Sequence, residues 1–192
     1  SRKSDHISIN IEQDVNSGLN NGFDRYRFVH NALPEIALEK VNTCQELFGR
    51  SVRLPFLISS MTGGTEKAAE INKRLANVAE KFGLAMGVGS QRAAIEYPHL
   101  ATSFQIRAFA PNILLFANLG AVQFNYGYGI DECKRAVDMI GADGLILHLN
   151  PLQEAIQPNG DTNFSGLLEK IEKIARELIQ PIVVKEVGWG IS

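Results

Sequence analysis

The stretch Gly144-Leu145-Ile146-Leu147-His148-Leu149-Asn150 decides the fold class. It is a short apolar run that begins at a glycine and ends in polar residues, which is typical of a strand buried in a parallel sheet. The residues before it, Asp131 to Ile140, have helical periodicity. Helix and strand together predict a βα unit, whose usual length is about 30 residues.

The same pattern extends along the chain from Pro55. Further strands are predicted over Phe56 to Ser60, Leu84 to Val88, Ile113 to Asn118 and Ile182 to Val187. Helices are predicted over Ile71 to Phe82, with Gly83 as the stop signal, over Leu100 to Phe109 and over Leu167 to Ile179. Strands and helices therefore alternate, as in α/β proteins.

Two architectures use such units, the open doubly wound sheet and the (β/α)8 TIM barrel. Polar residues and glycines follow nearly every predicted strand. A barrel gathers all strand C-termini at one mouth, whereas an open sheet needs functional loops only at its switch point. We therefore predict a TIM barrel, incomplete in this chain, with about five of the eight βα units.

The predicted domain organisation has two parts. Residues 1–53 form an N-terminal extension packed on the barrel, with short helices expected over Asp24 to His30 and Leu38 to Phe48. Residues 54–192 form the first part of the barrel. A complete barrel typically needs about 250 residues, so about three strand–helix units are expected beyond this chain.

The composition excludes several classes of partner. The 192 residues are 45% hydrophobic and 21% charged, with a net charge of -2, so the protein has no basic field for nucleic acid. The longest apolar runs are much shorter than the roughly 18 to 20 residues of a membrane span, and the N-terminus is polar. We predict a cytoplasmic protein that binds neither nucleic acid nor membrane.

Candidate site residues lie where the predicted strands end. Gly87-Val88-Gly89-Ser90-Gln91-Arg92 has Arg92 where a dinucleotide fingerprint requires glycine, so a nicotinamide fold is not indicated. The segment instead supplies a hydroxyl, an amide and a guanidinium, which suit a phosphorylated ligand. A lysine inside a barrel, such as Lys185, is costly unless it neutralises an anion.

A third strand end supplies His148, Gln153 and Glu154. A lone strand histidine is more often a satisfied core residue than a catalyst, but His148 lies near the end of its strand. The amide of Gln153 can hydrogen-bond a ligand, and the carboxylate of Glu154 can hold Mg²⁺ together with substrate phosphate oxygens. One carboxylate is a weak metal site, so this pattern favours a phosphate ester as substrate.

Seven ordered motifs over the whole length resemble type 2 isopentenyl-diphosphate isomerases. They are Arg2-Lys3-x-Asp5-His6, Ser60-Met61-Thr62-Gly63-Gly64, Gly87-Val88-Gly89-Ser90-Gln91-Arg92, Ala117-Asn118-Leu119-Gly120-Ala121, His148-Leu149-Asn150-Pro151-Leu152-Gln153-Glu154, Gln157-Pro158-x-Gly160-Asp161 and Val184-Lys185-Glu186-Val187-Gly188-x-Gly190-Ile191-Ser192. The resemblance implies an FMN-dependent enzyme that interconverts isopentenyl and dimethylallyl diphosphate, with Mg²⁺ as metal and NADPH as the reductant of FMN.

The resemblance also assigns roles to residues. The positions that match FMN contacts are Ser60, Met61, Thr62, Ser90, Asn118 and Lys185. Those that match substrate contacts are Arg2, Lys3, Ser90, Gln91, Arg92 and Gln153. Glu154 matches the Mg²⁺ ligand, and Gln153 and His148 are the catalytic candidates beside the allyl end of the substrate.

The implied reaction adds a proton at the terminal methylene and removes another from C2, without net redox change. The resemblance further implies a homo-oligomer, either a tetramer or an octamer. Two alternatives stay open at this point. One is another FMN-dependent barrel oxidoreductase, such as a 2-hydroxy-acid oxidase, and the other is a catalytically inactive flavin-binding fragment.

Overall fold

The computed structural model describes residues 2–20, 22–188 and 190–191, and these form two compact units, Ser1–Thr43 and Cys44–Ser192. The first unit contains a helix, α1 (Arg2–Glu12), which the sequence patterns did not predict. It also contains two single 3₁₀ turns, Phe23–Arg25 and Leu38–Lys40. The short helix expected over Asp24 to His30 is therefore wrong beyond its first residues.

The second unit begins with a two-stranded antiparallel hairpin, β1 (Gln45–Leu47) and β2 (Arg50–Val52). The expectation of a helix over Leu38 to Phe48 is therefore wrong. The turn between the strands consists of Phe48 at φ 49° and Gly49 at φ 72°. Positive φ at both central residues is the geometry of the tight hairpin turn that matches strand twist, and it ends any helix.

A five-stranded parallel sheet follows, as predicted. Its strands are β3 (Leu57–Ile58), β4 (Ala85–Gly87), β5 (Leu115–Gly120), β6 (Gly144–His148) and β7 (Ile182–Lys185). They pair in the order β3-β4-β5-β6-β7, so each strand lies beside its predecessor in the chain. In a doubly wound sheet the strand order reverses at the switch point, whereas a barrel adds each new strand beside the preceding one in the chain. The order therefore agrees with an incomplete barrel.

Of the five helices that connect the strands, the second, fourth and sixth along the chain agree with the sequence prediction, whereas two short helices were not predicted. They are α2 (Glu66–Phe82), α3 (Arg92–Glu96), α4 (Ile130–Ile140), α5 (Pro151–Ile156) and α6 (Leu167–Glu177). Thr65 caps the start of α2 through the Ala68 N–H, and Gly83 ends the helix in the left-handed conformation. Within the described ranges, no helix is long and apolar enough to cross a membrane.

The predicted helix over Leu100 to Phe109 is wrong. The structure has 3₁₀ segments there instead, Pro98–Ser103 and Arg107–Phe109. The Ser103 hydroxyl donates to the Leu100 carbonyl at 2.7 Å and accepts the Gly64 N–H at 2.9 Å. Such side-chain bonds to the backbone compete with α-helical bonding, so the turn stays tight.

Alternation along the strands gives the sheet two apolar faces. Leu115, Leu145 and Leu147 belong to the main core with the connecting helices, whereas Phe116 and Ile146 form a second cluster on the opposite face. Residues two apart share a face. Asn118, His148 and Lys185 therefore continue the second face toward the carboxyl ends of β5, β6 and β7.

Candidate active site

A hydrogen bond joins the ends of β5 and β6. Asn118 is buried, and its Oδ1 lies 2.8 Å from Nδ1 of His148. Because Oδ1 is an acceptor, Nδ1 is the donor in this contact. Gly120 leaves room for the ring, since a Cβ at that position would lie 3.1 Å from Nε2. The bond to Asn118 thus fixes the orientation of the His148 ring at the end of β6.

Gln91 supports this pair from inside the protein. Its Oε1 accepts the Asn118 N–H at 3.0 Å, and its backbone N–H donates to the Asn118 carbonyl at 2.8 Å. Its Nε2 donates to the Ala136 carbonyl in α4 at 2.8 Å. The structure therefore places the Gln91 side chain, predicted to contact substrate, within the core, where it fixes Asn118.

The loops after β3 and β4 pack closely. The Thr62 carbonyl accepts the Gly89 N–H at 2.8 Å, and a Cβ on Gly89 would come within 2.5 Å of that carbonyl. Ser60 is buried, and its Oγ has no hydrogen-bond partner in the described part of the chain. Met61 is exposed and Ser90 is partly buried. Four predicted flavin contacts thus lie on two adjacent loops.

Lys185 ends β7 and pairs in register with His148 on the neighbouring strand. Its ammonium is partly buried and donates to the Glu186 carbonyl at 3.0 Å. Burial lowers the pKa of Lys185, and the charge of Glu186 opposes this shift only in part. A partly desolvated cation at the strand ends would be stabilised by an anionic ligand.

The carboxylate of Glu154 is buried at the start of α5 and surrounded by neutral donors. Asn150 Nδ2 donates to Oε1 at 2.8 Å, while Gln157 Nε2 and the Asp161 N–H, the latter at 2.8 Å, donate to Oε2. Asn150 Nδ2 also donates to Gln153 Oε1 at 3.2 Å. The two residues predicted as proton relay and metal ligand are therefore held by one asparagine.

Two observations bear on a metal at this position. Asn150 Oδ1 is buried and has no partner among the described residues, so it lies near Glu154 as a second oxygen in need of a donor or cation. No group of three or more His, Cys, Asp or Glu side chains suited to a metal occurs in the described ranges. The described residues therefore supply one carboxylate and one amide oxygen here, and a cation at this position would need its other ligands from a bound molecule or water.

Arg92 is paired rather than free. Its guanidinium lies 2.5 Å from Asp161 Oδ2 and 3.4 Å from Glu96 Oε1. Gln123 Nε2 donates to the same Asp161 oxygen at 2.9 Å. Arg92 is thereby linked through Asp161 to Glu154. The remaining predicted substrate residues, Arg2 and Lys3, lie in α1, and their side chains are outside the described part of the chain.

Sequence reasoning missed three polar residues of this site, Asn150, Gln123 and Asp161. Asn150 and Asp161 stand inside motifs already noted, but only the fold shows that their polar groups turn toward Glu154. Gln123 lies in a 3₁₀ segment, Ala121–Asn125, directly after β5. Its position after a strand end was the signal that could have identified it.

The sequential order of the parallel strands and the polar residues at their carboxyl ends define an incomplete βα barrel. A mandelate oxidase variant with a monooxide FMN adduct matches 95% of this chain and 59% of its own, with a TM-score of 0.54 and 13% identity. A mandelate oxidase structure with benzoyl-formic acid matches with a TM-score of 0.50 and 18% identity. At these identities the likeness confirms the predicted fold alone.

The chain is homologous over its whole length to isopentenyl-diphosphate delta-isomerases, of which it corresponds to an N-terminal part. Relatives of that name in Nostoc sp. and Synechocystis sp. are 56% and 58% identical over 100% of this chain. One from Rickettsia rickettsii is 52% identical. The chain spans about half the length of these relatives, 55% to 56%. No protein-family model matches it.

Proposed function

We propose that the full-length gene product is a type 2, FMN-dependent isomerase that interconverts isopentenyl and dimethylallyl diphosphate. The identity of 56% to 58% to relatives named isopentenyl-diphosphate delta-isomerase carries this proposal. The flavin-dependent type is supported by the site itself, because the partly buried ammonium of Lys185 lies in register with His148 at the strand ends.

The residues of this chain fit an anionic flavin. The Ser60 hydroxyl, which has no hydrogen-bond partner among the residues described, lies in one of the two packed loops, and Lys185 offers a positive charge. Ser60, Met61, Thr62, Ser90, Asn118 and Lys185 would hold FMN together. When bound in its reduced form, FMN supplies a proton-exchanging nitrogen beside the substrate, and NADPH serves to reduce it.

The diphosphate requires charge-assisted donors, for which we propose Ser90 and Arg92 together with Arg2 and Lys3. Gln91 contributes by fixing Asn118 instead. Glu154 would hold Mg²⁺, which would supply positive charge to stabilise the diphosphate. These groups bind and orient the substrate, leaving its hydrocarbon end toward the second face of the sheet.

Proton movement requires groups that do not ion-pair with a cation-like centre. The Oε1 atom of Gln153 is engaged by Asn150, so its NH₂ group is the part available to orient the hydrocarbon end. The Nδ1–H of His148 is directed to Asn118, which fixes the imidazole ring beside the strand ends. These bonds fix the orientation of both groups, as general acid–base catalysis requires.

The test uses the purified full-length gene product with isopentenyl diphosphate, FMN, NADPH and Mg²⁺ in deuterated water. We expect dimethylallyl diphosphate that carries deuterium, and no turnover when FMN or the reductant is omitted. Isomerisation without flavin would refute the type 2 assignment. Reduction of bound FMN by 2-hydroxy acids without isomerisation would instead identify an oxidase. Light scattering of the same sample tests the proposed tetramer or octamer.

A further inference from the structure

The segment Gln157-Pro158-Asn159-Gly160-Asp161 has no role in the proposed function, although it folds around the Glu154 carboxylate. The side chain of Gln157 and the backbone N–H of Asp161 both donate to Oε2 of Glu154. Carboxylates that bind metals are commonly oriented by such hydrogen bonds from outside the metal shell. The segment therefore determines where the carboxylate lies.

The close approach of this segment depends on Gly160. A Cβ built on Gly160 would lie 1.9 Å from the backbone oxygen of Glu154 and 2.7 Å from its carbonyl carbon. Any larger residue would push the segment away from α5. Since the preceding Asn159 has φ 57°, the chain enters this contact through a left-handed turn.

The side chain of Asp161 binds Arg92, the candidate diphosphate-binding residue. Its Oδ2 accepts from Arg92 at 2.5 Å and from Gln123 at 2.9 Å. A single residue thus bonds the guanidinium through its side chain and the Glu154 carboxylate through its main chain. The two groups that would bind opposite sides of a metal diphosphate are held by one residue.

We propose that Asp161 is a positioning residue that sets the separation between Arg92 and Glu154 for a divalent metal diphosphate. The inference rests on the proposed function and adds to it a role for the Gln157 to Asp161 segment. Without Asp161, Arg92 loses that ion pair and keeps its contact with Glu96 among the described residues, and Glu154 loses an oriented donor when the segment shifts.

A simpler interpretation makes the opposite prediction. If Asp161 only neutralised Arg92, it would compete with the ligand, and its removal would strengthen anion binding. If Asp161 positions Arg92, its removal weakens binding, because displaced groups lose the geometry that a bridged ligand needs. The sign of the change in affinity therefore separates the two interpretations.

The experiment measures Mg²⁺-dependent binding of inorganic pyrophosphate to the full-length protein by isothermal titration calorimetry. For Asp161→Asn, which keeps the shape and the backbone N–H, we expect about tenfold weaker pyrophosphate binding, as for other residues that orient metal ligands. Gly160→Ala keeps both charges and displaces only the backbone link, and we expect a similar loss.

Glu96→Gln is the matched control. It removes the other carboxylate that pairs with Arg92, and this carboxylate is not part of the link to Glu154. Arg92 and Glu96 are 38% and 43% exposed, so this pair contributes little, and binding should stay within about twofold. FMN affinity should be unchanged in all three variants. A general loss of structure would instead change the FMN affinity.

Unchanged or tighter pyrophosphate binding by Asp161→Asn would overturn the inference while leaving the proposed function intact. A loss in Asp161→Asn without one in Gly160→Ala would refute the link through Glu154. If the unsubstituted protein binds FMN but no Mg²⁺ pyrophosphate, the proposed diphosphate site fails together with the inference.

Discussion

Replacing Asp143 by asparagine should destabilise the protein through a network at the amino ends of the strands. Asp143 directly precedes β6, and its carboxylate accepts the Leu115 N–H at 2.9 Å. It also pairs with Arg107 at 2.8 Å and with Arg50 at 2.6 Å, which connects the hairpin to the sheet. Asparagine keeps the shape of the side chain but removes the charge that both guanidinium groups need.

The magnitude follows from exposure. Asp143 is 15% and Arg107 26% exposed, and a charged hydrogen bond of this kind contributes about 1.5 to 3 kcal/mol. Arg50 is 44% exposed, so its pair contributes at most about 1 kcal/mol. Because asparagine can still accept one bond, we expect a net loss of about 2 kcal/mol in the free energy of unfolding at pH 7. Urea denaturation followed by circular dichroism measures it.

The pH dependence gives a second test. Burial raises the pKa of Asp143, but the bonds from Leu115, Arg107 and Arg50 outweigh it and lower the pKa below 3.8. The folded carboxyl thus binds its proton less readily than the unfolded one. Its stabilisation is complete above the unfolded pKa and is lost as the pH falls through the folded pKa.

The difference between Asp143→Asn and the unsubstituted protein should therefore shrink in acid. The control is Asp138→Asn, an exposed position on α4, which should change the unfolding free energy by less than about 0.5 kcal/mol. A loss at pH 7 no larger than that of the control, or one that persists unchanged below the folded pKa, would refute this account of the network.

Three predictions concern the proposed site in the full-length protein. Lys185→Ala should weaken the binding of reduced FMN at least about tenfold in a fluorescence titration, and more than the binding of oxidised FMN. The control Lys173→Ala, at an exposed position, should leave FMN binding unchanged. An unchanged flavin potential in Lys185→Ala would contradict this role. Glu154→Gln should leave FMN binding intact but raise the Mg²⁺ requirement about ten- to hundredfold, and loss of flavin instead would contradict it. Gln153→Ala should lower turnover and C2 deuterium exchange about 10²-fold at a nearly unchanged Michaelis constant; lower affinity at full turnover would make Gln153 a binding residue.

The sequence predicted the parts of the fold in which one period repeats over many residues. The five strands and the helices α2, α4 and α6 are present because their apolar residues recur at the spacing of a buried face. Predictions failed where a single local contact determines the secondary structure of a segment. The bond of Ser103 to Leu100 keeps that segment a 3₁₀ turn, and the left-handed pair Phe48 and Gly49 forms a hairpin.

For the candidate site, the sequence predicted which residues gather but not how they are used. Strand ends of a parallel sheet meet at one edge, so Asn118, His148 and Lys185 were expected there, and the strand register brings them together. Whether a polar side chain at such an edge points inward depends on partners far away in sequence. Gln91 turns inward because the Ala136 carbonyl, 45 residues later, accepts its amide.

A partly buried carboxylate at the amino ends of the strands and a buried one near the carboxyl ends have different partners, and this contrast supports a ligand at the carboxyl ends. Asp143 is neutralised by two guanidinium groups, whereas the hydrogen-bond donors to Glu154 are neutral. A buried charge without a counter-charge costs free energy, so it adds little to stability when no ligand is bound. Without Mg²⁺ and pyrophosphate, Glu154→Gln should then lower the free energy of unfolding by less than about 1 kcal/mol. Asn150 Oδ1, which has no partner among the described residues, can turn to accept the N–H of the new amide. A destabilisation by Glu154→Gln as large as that by Asp143→Asn, measured without ligand, would show that Glu154 serves the fold instead.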